Sequence, residues 1–155
     1  MFTLSSIYDA TNELLGENNE MTFNEAVARA IEYWTAVSKV IPLWGRVRSG
    51  EIKSVDLRQE HICAHSVVLR ALGAIGAELF NLDPNAWKER LIELSDIDWR
   101  KINPDWENVC IVANSVVSNR QARLATKAYL KRKLGLELTD AEARAIAPIP
   151  QPVEA

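Results

Sequence analysis

The stretch SVDLRQEHICAHSVVLRALGAIGAELFNL, residues 54–82, decides the fold. Leu57, Ile62, Cys63, Val67, Val68, Leu69, Leu72, Ile75, Leu79 and Phe80 put apolar side chains on most sides of a helix drawn through it. A helix that is apolar nearly all round belongs at the centre of a core. The stretch therefore predicts one buried helix over about 55–82, with Ser54 as its N-cap and Asp56 near its positive end. Gly73 and Gly76 lie inside it, and each costs about 1 kcal/mol relative to alanine. Their expected use is the close approach of a neighbouring helix.

Shorter capped helices are predicted on either side. Upstream, Leu4–Leu15 has apolar residues at 4, 7, 8, 14 and 15 and stops at Gly16. Thr22 and Glu25 form a capping box, and Phe23, Val27, Ala30, Ile31, Trp34 and Val37 follow at helical spacing up to Pro42. Residues 43–53, with two glycines, are expected to be an irregular link. Downstream, Asp83-Pro84 and Asn103-Pro104 are cap-plus-proline signals. Residues 109–117 can be extended but lack an obvious strand partner. Ser118 with Gln121 is expected to cap a helix ending at Leu134–Gly135, and Thr139 with Glu142 a last short one. The expected architecture is all-α: one domain over 1–147, five or six helices around the central one. Pro148, Pro150 and Pro152 predict a disordered tail over 148–155.

The chain has 155 residues, 48% hydrophobic and 25% charged. That is ordinary globular composition, which excludes wholesale disorder, a collagen repeat and a disulfide-stapled miniprotein. No run approaches the roughly 18 apolar residues of a membrane span. With no export signal and two isolated cysteines, Cys63 and Cys110, a cytoplasmic location is expected.

Net charge is −3, but it is unevenly spread. Residues 1–28 carry five acids and no Lys or Arg, whereas 108–133 carry six basic residues and no acid. Arg120, Arg123, Lys127 and Lys131, spaced 3, 4 and 4, fall on one helical face. Such a row can track a phosphate backbone; equally, it can be a solvated face paired with the acidic N-terminal helices. His61 and His65 lie four apart, yet no third ligand accompanies them, so no metal is expected. Arg58, His61 and His65 read instead as a polar stripe needing buried partners, with Asp96, Asp98, Asp105 and Asn114 as candidates. The stripe is either a functional cleft or a lock between helices. Trp34 and Trp87 are expected in the core; Trp99 and Trp106 are expected half-exposed. Phosphate loops, GxGxxG, GxSxG and paired-cysteine motifs are missing, so neither catalysis nor a cofactor is expected.

Three segments, LRQEHICAHSVVLRALGAIGAEL (57–79), DIDWRKINPDWE (96–107) and SNRQARLATKAYLKRKLGLELTDAEA (118–143), resemble the C-terminal half of the DndB family. The shared pattern is a (R/Q)-E-x-x-x-x-H helix, an IDW–N–W element and a helix with NRQ. Arg58, Glu60, His65, Asp98, Trp99, Asn103, Trp106, Asn119, Arg120 and Gln121 occupy the matching motifs. The resemblance implies a bacterial DNA phosphorothioation system and a non-catalytic, repressor-type role. It also relates the chain to DGQHR-domain proteins, whose pentapeptide is missing here, so a C-terminal region is expected. Its implied partners are DNA, other DNA-modification proteins, an N-terminal DGQHR-containing segment or a second copy, and no membrane. In that setting Arg120, Arg123, Lys127 and Lys131 are the candidate nucleic-acid contacts. Arg58, His61, His65, Asp98 and Asn103 are the candidate polar network.

Overall fold

The computed structural model describes residues 1–16 and 20–147; the proline-rich segment from 148 lies outside them. Helices dominate, and the fold is all-α with one minimal hairpin. Capping sets the first two helices. α1 (Leu4–Leu15) starts at Thr3, whose hydroxyl accepts from the Ser6 N–H, and ends at Gly16 with φ +62°. α2 (Phe23–Val40) opens on the Thr22/Glu25 box with both of its hydrogen bonds formed.

Of residues 43–53, expected to be an irregular link, 43–48 are helical and 49–53 form the link. α3 (Pro42–Arg48) begins with Pro42 in its first turn and buries Trp44. Gly45 sits inside it without disrupting it, because a single glycine lowers helix propensity without forbidding a helix.

The central helix is shorter than its apolar pattern. The chain forms α4 (Ser54–Glu60), a single 3-10 turn at Ile62–Ala64, and then α5 (Ser66–Leu82). His61 and His65 take extended backbone on either side of that turn. Ser54 is the first helical residue and not the cap, since Lys53 holds that place. Neither Gly nor Pro breaks the helix; tertiary hydrogen bonds do. The Ile62 N–H donates to Trp99 O and the Lys101 N–H to Glu60 O, each at 2.9 Å. Backbone pairing with the 99–101 loop thus replaces the helical ladder. Across the break the Arg58 guanidinium donates to Ala64 O at 3.1 Å, and a His65 ring nitrogen meets Arg58 O at 2.9 Å.

α5 packs between α1 and a second embedded helix, α7 (Arg120–Lys133). The glycines work as the sequence suggests. A Cβ on Gly73 would lie 2.2 Å from Ala10 O, and one on Gly76 would meet the Tyr33 ring and Leu14 at 2.5–2.6 Å. The Tyr33 hydroxyl donates to Leu72 O, tying α2 to the same helix.

Between α5 and α7 the chain makes α6 (Trp87–Arg90), which begins after a turn and not directly at Asp83, then 3-10 turns at Leu91–Asp96 and Pro104–Trp106. A two-residue hairpin follows, β1 (Ile111–Val112) with β2 (Ser115–Val116). Its partner strand is the next few residues, reached through Ala113 and Asn114, both at positive φ. α7 is capped by Asn119, one residue later than expected, through its side-chain oxygen and the Ala122 N–H. α8 (Asp140–Ala145) opens on the Thr139/Glu142 box. More helices form than the five or six expected, because 42–48 is helical and 55–82 is divided.

Candidate nucleic-acid interface and the polar lock

Of the four cations aligned by sequence, the structure leaves only part of the row on the surface. Arg120 is exposed and Arg123 half-buried, its guanidinium donating to Ser118 O at 2.9 Å. Lys131 is 3% exposed. Its ammonium donates to Glu142 Oε1 at 2.7 Å and Glu78 Oε1 at 3.0 Å. Lys127 lies 3.5–3.6 Å from the second oxygens of the same carboxylates. Glu142 itself is 2% exposed, and its Oε1 also accepts the Thr139 N–H. Burial alone would discharge the Lys131–Glu142 pair. The hydrogen bonds outweigh it, holding the Lys131 pKa above its ordinary value and that of Glu142 below. The basic row is therefore half neutralised, by α5 and α8 and not by the acidic N-terminal helices. Arg132 and Lys133 add exposed charge at the far end of α7.

The polar-network residues are brought to one place, but mostly through backbone. Asp98 O accepts from Trp106 Nε1 at 2.8 Å and Asn103 Nδ2 at 3.0 Å, while Asn103 Oδ1 accepts the Asp105 N–H. The Asp98 carboxylate takes the Arg100 guanidinium through two hydrogen bonds, which hold its pKa down to about 2. His61 forms a backbone bridge with Arg100, and its Nδ1 is buried without a hydrogen bond among the described residues. Burial pushes the pKa of both His61 and His65 down. Of the proposed partners, Asp96 and Asn114 make no hydrogen bond to the stripe, and Asp105 accepts from the Tyr129 hydroxyl instead. The helical stripe of Arg58, His61 and His65 does not exist as such, because the helix breaks between them. What exists is a lock joining α4, α5 and the 96–107 segment.

Aromatic packing completes the lock. Trp99 and Trp106 are buried, not half-exposed, with rings stacked at 5.8 Å, and Trp106 meets Tyr129 at 4.4 Å. Neither indole face is free to stack on a base. Trp87 is in the core as expected, while Trp34 is half-buried and donates to the Thr11 hydroxyl. Of the residues at helical spacing on α2, Phe23, Val27 and Ile31 lie on its exposed outer face.

Compared with known proteins, residues 1–137 match the sequence model of a family described as DndB, DNA-sulfur modification-associated. The chain belongs to the DndB family. This links it to DNA sulfur modification. The family's matched span ends just before α8, so Glu142 reaches into the cluster on α7 from beyond it. No curated protein and no solved structure matches the chain. Among the described residues, no helix is long and apolar enough to cross a membrane, and no group of three or more His, Cys, Asp or Glu can hold a metal.

Proposed function

We propose that this DndB-family chain is a non-catalytic regulatory module of a bacterial DNA phosphorothioation system, acting in the cytoplasm and touching DNA through the start of α7. The observation that carries this reading is the acid-free segment 108–133, whose Arg120 and Arg123 remain at the surface where the helix opens. Arginine forks suit phosphate oxygens, and such contacts give affinity without reading sequence. Lys127 and Lys131 are not assigned to DNA here, because carboxylates already hold them. The buried thiols support a role without nucleophilic chemistry. Burial pushes Cys63 up to about 12 and Cys110 up to about 11, so neither is a thiolate at neutral pH.

The test is duplex affinity against salt for the parent and for Arg120→Glu with Arg123→Glu. Losing two phosphate contacts lowers the slope of log affinity on log salt by about 1.8. Superimposable curves remove the reading.

A protein-interaction module is the second reading, and one observation favours it. Phe23 (81% exposed), Val27 and Ile31 (63% exposed) line up four apart on α2, an apolar stripe of the kind that partner surfaces use. Its occupant in this reading is a second copy of the chain. Light scattering decides: a dimer that Ile31→Gln dissociates supports it, and a monomer rejects it.

A further inference from the structure

Away from α7, Arg58 and Lys101 are two of several cations that make no ion pair among the described residues, and they are set apart by lying near one another. Among the described residues no carboxylate lies within ion-pair distance of Arg58 or Lys101. They are close enough that the Arg58 charge helps lower the Lys101 pKa, after burial, and both charges also weigh on His65. The hydrogen bond from Lys101 N–H to Glu60 O is what brings the two segments together. Two like charges near one another favour an anion in their neighbourhood.

Beside Arg58 is a cleft of about 300 Å³, lined by Met1, Phe2, Thr3, Ser6, Arg58 and Ser66. The lining holds Arg58 and three hydroxyl residues and no carboxylate; the Thr3 and Ser6 hydroxyls already bond each other at 2.9 Å, which leaves Ser66 and Arg58 as the donors for a ligand. Arg58 is anchored at one corner by its bond to Ala64 O, which leaves the rest of its five-donor fork available. The cleft also lies where α1 and α5 begin, and neither helix has an acidic residue in its first turn. His65, at the cap position of α5, gives its side chain to Arg58 O and not to the helix. Thr3 caps the start of α1, whereas α5 has no side-chain cap, so the α5 dipole adds positive potential beside the cleft.

We propose that this cleft binds a phosphate oxyanion, with Arg58 and the Ser66 hydroxyl as its direct donors and Lys101 as supporting charge. The ligand is a phosphodiester of the DNA backbone or a free phosphate; the recognition chemistry is the same. The site shares no residue with α7, so it stands or falls separately from the contact assigned to Arg120 and Arg123.

Amide NMR on the full chain tests it, with inorganic phosphate as the first probe and a short duplex as the second. Phosphate is expected to shift the Thr3, Ser6 and Ser66 amides. Arg58→Gln is expected to weaken this binding on the order of tenfold, the loss of one charge-assisted contact. Lys101→Gln, whose side chain makes no hydrogen bond among the described residues, is expected to weaken it less while leaving the spectrum folded. A duplex that displaces phosphate from these amides identifies the DNA backbone as the source. Phosphate binding that a duplex leaves untouched identifies a free phosphate. Unmoved amides with both probes, or both variants binding phosphate as the parent does, overturn the proposal. The Arg120→Glu, Arg123→Glu variant keeps these shifts, so failure on α7 and failure here are told apart.

Discussion

Replacing Gly73 by alanine places a methyl group where α1 crosses α5. The added Cβ would sit 2.2 Å from Ala10 O and 3.1 Å from Ala10 C, whereas ordinary contact begins at 3.4 Å. The oxygen is about 1.2 Å too near, and being backbone it cannot rotate aside. α1 must shift as a unit, loosening Ala10 and Leu14, the two residues it buries. Overpacking of this kind costs about 1–3 kcal/mol, and an immovable neighbour puts it at the upper end. Alanine returns about 1 kcal/mol of helix propensity. The net is a destabilisation of about 2 kcal/mol, a fall of roughly 4–8 °C in Tm for a domain of this size. Gly45→Ala is the control: α3 has nothing within 4 Å of that Cβ, so propensity alone acts and stability rises by about 1 kcal/mol. Thermal melts followed by circular dichroism read both. If Gly73→Ala melts at or above the parent, the close crossing of α1 on α5 is wrong.

Other perturbations probe the charged clusters. Lys131→Met removes the closer of the two cations that hold Glu78 and Glu142 and should cost about 3 kcal/mol in urea unfolding, the low end for a broken buried pair because Lys127 remains beside both and Glu78 reaches solvent. Adding Glu142→Gln should recover part of that loss, and no recovery would mean the two side chains are not coupled. His61 and His65 have lowered pKa values, so the folded state binds fewer protons than the unfolded one near pH 6. Their contribution is complete above the unfolded value of about 6.5 and falls as the pH drops through it. Unfolding free energy should decline from pH 7.5 to 5.5, with His65→Gln flattening the decline; equal stability at both ends contradicts the burial of these rings.

Local chemistry is what a reader of the sequence can see. The Thr22/Glu25 and Thr139/Glu142 boxes, the stops at Gly16 and Gly135 and the Asn103-Pro104 turn each depend on neighbours within a few residues, and each forms. The break at His61–His65 depends on Trp99 and Lys101, far along the chain, and nothing in QEHICAHS marks it. Periodicity found the cationic row on α7, but Glu78 lies some fifty residues upstream of the lysines it neutralises. Likewise the 23–27–31 stripe has perfect helical spacing; which side of α2 faces inward is set by Tyr33 reaching Leu72. Of the candidate residues, the sequence could place Arg120 and Arg123 on one helical face and Arg58 near His65, while the partners each one meets were not legible.

Glu142 Oε1 accepts at once from its own helix start and from a lysine on another helix. One oxygen atom therefore sets where the final turn begins and how α7 is rotated. Trimming the chain at the edge of the matched family span would take away that acceptor and leave the Lys131 ammonium enclosed with a single counterion, Glu78. A piece cut at that boundary should therefore be less stable than one that runs through α8.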